Sequence, residues 1–305
     1  QIVSTTDAAF EFMQKSLLHI QAGCLGADIA TLTREALQYL IDEELVVQTR
    51  ATDNETPEEK CFLQVTPLGN ATFKGSIDHI YSGQLYKDLN KAKESLNLST
   101  YLHLLYLVTP YDMSGSVVPD WKVYFDQYCK LKDIELKTAG AIGVQENYLG
   151  LRAAGHKPRA KVCELTIQRF YLSLMLWDLW NQKSVWEVAN RFSQTRGFVQ
   201  NLLTQAASFA SCIFHFCKEL EEFWAYQQLL EHFIKKLTYC VSIELLPLME
   251  IPGVKLARAK MLHAAGYKSI SVLASAEVNN LVQSVEHLSK RTAQQIIAAA
   301  KVIHF

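Results

Sequence analysis

The residues best suited to do chemistry lie near the end of the chain, in Ile251-Pro252-Gly253-Val254-Lys255 of the stretch LMEIPGVKLARAKMLHAAGYKSISVLA. A proline-glycine turn separates two helical runs there, and Lys255, Arg258 and Lys260 follow it directly. The chemistry this pattern supports is anion binding. Backbone N–H groups at a helix start carry partial positive charge outward, and nearby cations strengthen their hold on a phosphate. Gly253 suits the turn because glycine tolerates backbone angles barred to other residues. The same residues also fit a plain helix-helix connection with solvated lysines.

Other basic sets are open to two readings as well. EHLSKRTAQQIIAAAK places Lys290 and Arg291 at a helix start but has no glycine, so it reads as a second phosphate contact or as a degenerate, packing-only hairpin. YLGLRAAGHKPRAKV gathers Arg152, His156, Lys157, Arg159 and Lys161 around a Gly-Pro loop, either a phosphate-backbone patch or an ordinary exposed basic loop. In RGFVQNLLTQAASFASCIFHF, Gln200, Asn201, Thr204, Gln205, Ser208 and Ser211 share one helix face. Such a face suits sliding along bases, or it is simply solvated. Trp121, Tyr124, Phe125 and Tyr128 fall at helical spacing and read as core.

No catalytic constellation accompanies these residues. G-x-x-x-x-G-K-[ST], G-x-G-x-x-G, G-x-S-x-G and H-E-x-x-H are all missing from the 305 residues. The seven cysteines are scattered without a C-x-x-C, which disfavours zinc and fits a reducing compartment. Net charge is −1, yet residues 1–75 hold 5 Lys and Arg against 11 Asp and Glu, whereas residues 241–305 hold 7 against 4. Cationic character therefore gathers around the 251–260 turn. No apolar run has the length of a membrane helix. The opening and closing residues enter and leave patterned sequence directly, which reads as a piece of a larger protein.

The elements that must position these residues are mainly α-helical. TTDAAFEFMQKSLLHIQ reads as one helix capped by Thr6 or Asp7, and ATLTREALQYLIDEELV as a second. LVVQTR and CFLQVTPLG read as short strands around the polar loop ATDNETPEEK. Helices followed by such a hairpin predict a winged helix over residues 1–75. Residues 76–245 show apolar positions at i, i+3, i+4 and i+7 and predict a helical bundle, and residues 246–305 predict short helices of helix-hairpin-helix type.

VTPLGNATFKGS (65–76), YLHLLYLVTPYD (101–112) and the 251–274 stretch, in this order, resemble the post-motor region of Ski-two-like superfamily 2 DNA helicases of the HELQ type, related to archaeal Hel-type helicases and to the helicase part of DNA polymerase theta. The resemblance implies winged-helix, "ratchet" and helix-hairpin-helix domains. It also implies a parent enzyme that moves 3′ to 5′ on DNA in repair, with RecA-like motor domains using ATP and Mg outside this chain. The partners implied are single-stranded or forked DNA and the motor domains, and the location implied is nuclear. Docking of a recombinase or single-strand-binding protein is the alternative, with no membrane role. The ratchet helix would be 196–216, with Asn201 and Ser208 where archaeal relatives carry arginine and tryptophan. The second glycine usual in the hairpin is Lys255 here. The winged helix, with a charge balance of −6, would pack on the motor and not read duplex DNA.

Overall fold

The computed structural model describes residues 3–26, 28–52, 59–96, 99–158, 162–239 and 245–304. The chain divides into two compact units, residues 1–96 with 208–230, and residues 97–207 with 231–305.

The first unit opens with α1 (Thr6–Gln14), α2 (Leu17–Leu25) and α3 (Ile29–Asp42). Where one helix is expected from residue 6 onward, the chain breaks at Lys15-Ser16. Ser16 adopts extended angles, bonds Met13 O at 2.6 Å and caps α2 by accepting from His19 N–H. Serine competes well for backbone groups, which favours such a break. The cap of α1 is Thr5, ahead of the expected Thr6 or Asp7.

Strands β1 (Val46–Thr52) and β2 (Glu59–Val65) form an antiparallel hairpin in register Val46↔Val65 through Thr52↔Glu59. Thr5 bridges to Phe62 and completes the winged-helix arrangement. β2 stops at Val65, short of the expected Gly69, because Thr66 caps α4 (Pro67–Lys74) with Pro67 in the first turn. Proline lacks the N–H a strand needs and suits a helix start. The two glycines of VTPLGNATFKGS are fixed by close approach: a Cβ at Gly69 would collide with Leu45 O, and one at Gly75 would meet Ala71 O, Cys212 O and Phe216 Cβ near 3 Å. Helix α5 (His79–Ser95) follows. Lys74 pairs with Glu219 at 2.8 Å.

The second unit holds α6 (Leu102–Leu107), α7 (Trp121–Cys129), α8 (Asp133–Ile142), α9 (Glu146–Ala153), α10 (Glu164–Trp180) and α11 (Val185–Arg191). Helix α10 is buried nearly all round, with Phe170, Tyr171, Leu172, Met175 and Leu176 in the core. Arg169 is buried among them. Its Nε donates to Thr109 O at 3.1 Å, and its Nη2 to Tyr106 O and Leu107 O at 3.1 and 3.2 Å. The Tyr106 and Tyr111 rings sandwich the guanidinium, with centroids at 4.7 and 3.8 Å. The side chain thus serves the carbonyls at the end of α6, where the helix dipole is negative, and this anchors YLHLLYLVTPYD.

Helix α12 (Arg196–Lys218) runs 23 residues and α13 (Trp224–Tyr239) follows it. The last segment forms α14 (Leu246–Met249), α15 (Leu256–Ala264), α16 (Ile270–Ala274), α17 (Val278–Ser284) and α18 (Lys290–His304). It has its own core, with Leu248, Ile251, Val254, Leu262, Leu281, Leu288 and Ile296 buried. The mainly α architecture is the expected one.

Candidate nucleic-acid interface

Two hairpins in the last segment repeat one design at a spacing of 34 residues. Ile251 and Val285 are buried, Pro252 and Glu286 are exposed, Gly253 and His287 take left-handed backbone angles (φ 85° and 59°), and Val254 and Leu288 are buried. Ala259 N–H then bonds Lys255 O, and Ala293 N–H bonds Ser289 O, both at 2.9 Å. The second hairpin lacks glycine but not its conformation, since His287 bears the left-handed strain that Gly253 avoids.

The hairpins differ at the cap. Ser289 Oγ accepts from Thr292 N–H at 3.1 Å and so satisfies one donor at the start of α18. Lys255 has the extended cap conformation of α15 but no acceptor to offer, and its side chain makes no cap bond. A lysine at this position also sets a cation against the positive end of the helix dipole. Lys255 and Lys260 are exposed and Arg258 is half-buried, its Nη1 clasping Gly253 O. Around Gly253 the space a Cβ would occupy is open. Val254 N–H donates to Ile251 O at 3.0 Å and its side chain is buried, so Val254 builds the turn. The first hairpin therefore presents α15 with an unfilled, cationic N-terminus, and the second fills its own. Lys290 and Arg291 are exposed on the first turn of α18.

On α12, Gln200, Asn201, Thr204, Gln205 and Ser208 are exposed and Ser211 is half-buried, opposite a face of buried Val199, Leu202, Ala206, Ala210 and Ile213. No Asp, Glu, Lys or Arg lies between Arg196 and Lys218. An exposed helix face over this length is ordinarily charged. Thr204 turns its hydroxyl back to Gln200 O at 3.0 Å, which leaves the amides of Gln200, Asn201 and Gln205 and the Ser208 hydroxyl as outward polar groups.

The described part of the 148–162 stretch is less of a patch than its sequence suggests. The Arg152 guanidinium lies 4.2 Å from the centre of the Trp121 ring and its Nε is buried, so this cation is a packing element on α9 and α7. His156 and Lys157 are exposed, and Arg159 and Lys161 fall outside the described residues. Tyr124 and Tyr128 are buried and Trp121 and Phe125 half-buried, as core positions.

One pair was not singled out from the sequence. Trp186 on α11 is 56% exposed, and the Arg196 guanidinium stands 3.8 Å from its ring centre. Only the order of a short turn brings residues ten apart together this way.

Among the described residues no group of three His, Cys, Asp or Glu is placed to hold a metal ion. Among the described residues no helix is long and apolar enough to cross a membrane.

Comparison with known proteins matches residues 82–237 to the helical domain of the DNA polymerase Q helicase-like region, and residues 245–301 to a SAM-like helix-hairpin-helix tandem. These two matches define the class as a helicase-like region, a helical domain followed by a helix-hairpin-helix tandem. The chain is 42% identical over 305 residues to the human helicase POLQ-like, covering 99% of the chain and 28% of that protein. It is 35% identical over 244 residues to the Drosophila melanogaster helicase POLQ-like (79% and 23%), and 32% identical over 247 residues to Caenorhabditis elegans DNA polymerase theta (81% and 15%). The chain belongs to the POLQ/HELQ-type helicases, as a C-terminal region of that family. It spans about a quarter of the length of the POLQ-like helicases it matches.

Proposed function

We propose that this chain is the DNA-gripping region of an ATP-dependent 3′–5′ DNA helicase acting in repair in the nucleus. It holds single-stranded or forked DNA behind RecA-like motor domains, and ATP and Mg are used by those domains. The observation that carries this reading is the α15 N-terminus. Lys255 occupies a cap position where it costs stability and supplies no acceptor, beside Arg258 and the open turn at Gly253. A phosphate there receives the helix N–H groups and the cations together. The uncharged face of α12 supports a strand moving past with little sequence preference, since single weak hydrogen bonds exchange readily.

The test is fluorescence anisotropy with a labelled single strand across a salt series. Affinity falls with salt by a log–log slope of about −0.7 per phosphate contacted. Lys255→Glu/Arg258→Glu lowers both affinity and slope, and Lys290→Glu/Arg291→Glu, at the self-capped hairpin, changes them less. Binding indifferent to salt or to the first pair of charges rejects the reading.

A second reading applies to the winged helix. Phe12, Leu17, Leu18 and Ile20 are exposed on α1 and α2, and Phe12 and Leu18 border an apolar cavity of about 560 Å³ also lined by Met13, Leu32, Leu37 and Val65. Exposed apolar surface of this kind is a protein-docking feature. It suits the motor domains, with a recombinase or single-strand-binding protein as the other candidate. Limited proteolysis of α1 and α2 with and without the motor domains supplied in trans tests it, protection being the expected result.

A further inference from the structure

Helix α11 is held to the core with unusual care for seven residues. Asp178 on α10, almost wholly buried, accepts from Lys183 Nζ at 2.7 Å and from Arg191 Nη1, which pins both ends of α11. Ser184 and Glu187 close a capping box, Ser184 N–H reaching Glu187 at 2.7 Å. That N–H holds the Glu187 carboxyl below its usual range and turns it toward the helix start. Phe192 is buried, with its carbonyl facing Tyr171 Oη. Ser193 then takes a left-handed φ of 52°, and Thr195 caps α12 through Phe198 N–H at 3.2 Å.

This rigid turn delivers two side chains that break local rules. Trp186 exposes more than half of its surface on an otherwise anchored helix, and Arg196 sets a cation on the first turn of α12, at the positive end of the dipole. Arg196 makes no ion pair with a carboxylate among the described residues, whereas its neighbours Lys183 and Arg191 are both tied to Asp178. Its guanidinium covers Trp186 at 3.8 Å. Rules broken together where the surroundings are over-determined mark a site. A wet indole plane backed by a cation is a stacking platform for another flat, electron-rich ring. Gln200 lies one turn along α12 from Arg196, with Asn201 and Thr204 beyond, so the platform stands at the head of the uncharged face.

Resting on the single-strand reading above, we infer that Trp186, backed by Arg196, is a stacking site for one base of single-stranded nucleic acid entering or leaving the α12 face. Arg196 meets an adjacent phosphate while it stiffens the indole. The contact is to the flat face of the base, so it is indifferent to sequence and carries no salt dependence of its own.

The test uses the 305-residue chain with a labelled oligothymidine and the same strand carrying abasic sites throughout. Trp186→Ala weakens binding to the oligothymidine about 5- to 100-fold with the salt slope unchanged. Trp186→Phe retains most of the affinity. On the abasic strand wild type and Trp186→Ala bind alike. Arg196→Ala weakens binding and reduces the slope by about 0.7. Because Trp186 is exposed, its variants keep the wild-type circular dichroism. If Trp186→Ala binds within twofold of wild type, or weakens binding equally on the abasic strand, the stacking site is rejected while the hairpin grip stands. If wild type binds no single strand in a salt-dependent way, both fall.

Discussion

Replacing Arg169 probes the packing that sets the helical domain's shape. The side chain is 1% exposed, and its charge-assisted hydrogen bonds include those to Thr109 O, Tyr106 O and Leu107 O. Summing these at about 2 kcal/mol each with two cation–π contacts overstates the loss, because the variant no longer buries a charge at a cost of several kcal/mol. The carbonyls decide the magnitude. Tyr106 O keeps a bond from Thr109 N–H at 3.1 Å, whereas Leu107 O and Thr109 O lose the guanidinium. Two buried carbonyls deprived of this donor cost about 1–3 kcal/mol each. Arg169→Met, which fills most of the volume, should therefore destabilise the α6 end by about 3–5 kcal/mol. Arg169→Lys should lose about 2 kcal/mol, since an ammonium reaches one carbonyl but neither forks nor stacks between rings. Native-state hydrogen exchange at Val108 and Thr109 reads the local opening free energy. A change under about 1 kcal/mol in Arg169→Met would refute the carbonyl-anchor account.

Three other outcomes follow from the geometry. Gly253→Ala should cost about 1 kcal/mol from its positive φ alone, because a Cβ there meets nothing, and His287→Gly should be neutral or stabilising by less than about 1 kcal/mol; thermal melts of both check this. Asp178→Asn should speed amide exchange at Val188 and Ala189, at a cost of about 1–3 kcal/mol, by stranding Lys183 and Arg191. Burial pushes the Cys217 thiol and the Tyr171 phenol up to about 12 each, against about 8.5 and 10 when unfolded. Unfolding then releases protons in alkali, so stability is full below about pH 8 and falls as pH rises toward 12. Melting midpoints at pH 7, 9 and 10.5 should decline in order, and Cys217 should resist alkylation that reaches exposed Cys24 and Cys163.

The helical patterns, the wing and the turn at Gly253 were legible in the sequence because periodicity and turn residues act locally. The break at Lys15-Ser16 and the helix start at Thr66-Pro67 were not, since each depends on a cap winning against a continuing pattern. The second hairpin shows the same limit: a search for glycine passes over His287, although its backbone is that of Gly253. Arg152 was open to reading as a phosphate contact or as part of an exposed basic loop, because sequence cannot reveal that Trp121 will cover its guanidinium. Trp186 stayed hidden in SVWEVANRF because a tryptophan in an apolar-patterned run is ordinarily core, although it falls off the buried face of Val188, Ala189 and Phe192.

The most direct measurement of the central claim is Lys255→Asp, read for stability and for single-strand affinity on the same sample. Aspartate supplies the cap acceptor that Lys255 lacks and removes a cation from the positive end of α15, so the helix-hairpin-helix segment should gain about 1 kcal/mol. The same change places a carboxylate where a phosphate is to bind, so affinity should drop several-fold with a shallower salt slope. Higher stability with weaker DNA binding is the predicted result. Higher stability with unchanged binding would contradict the account and leave the turn as architecture.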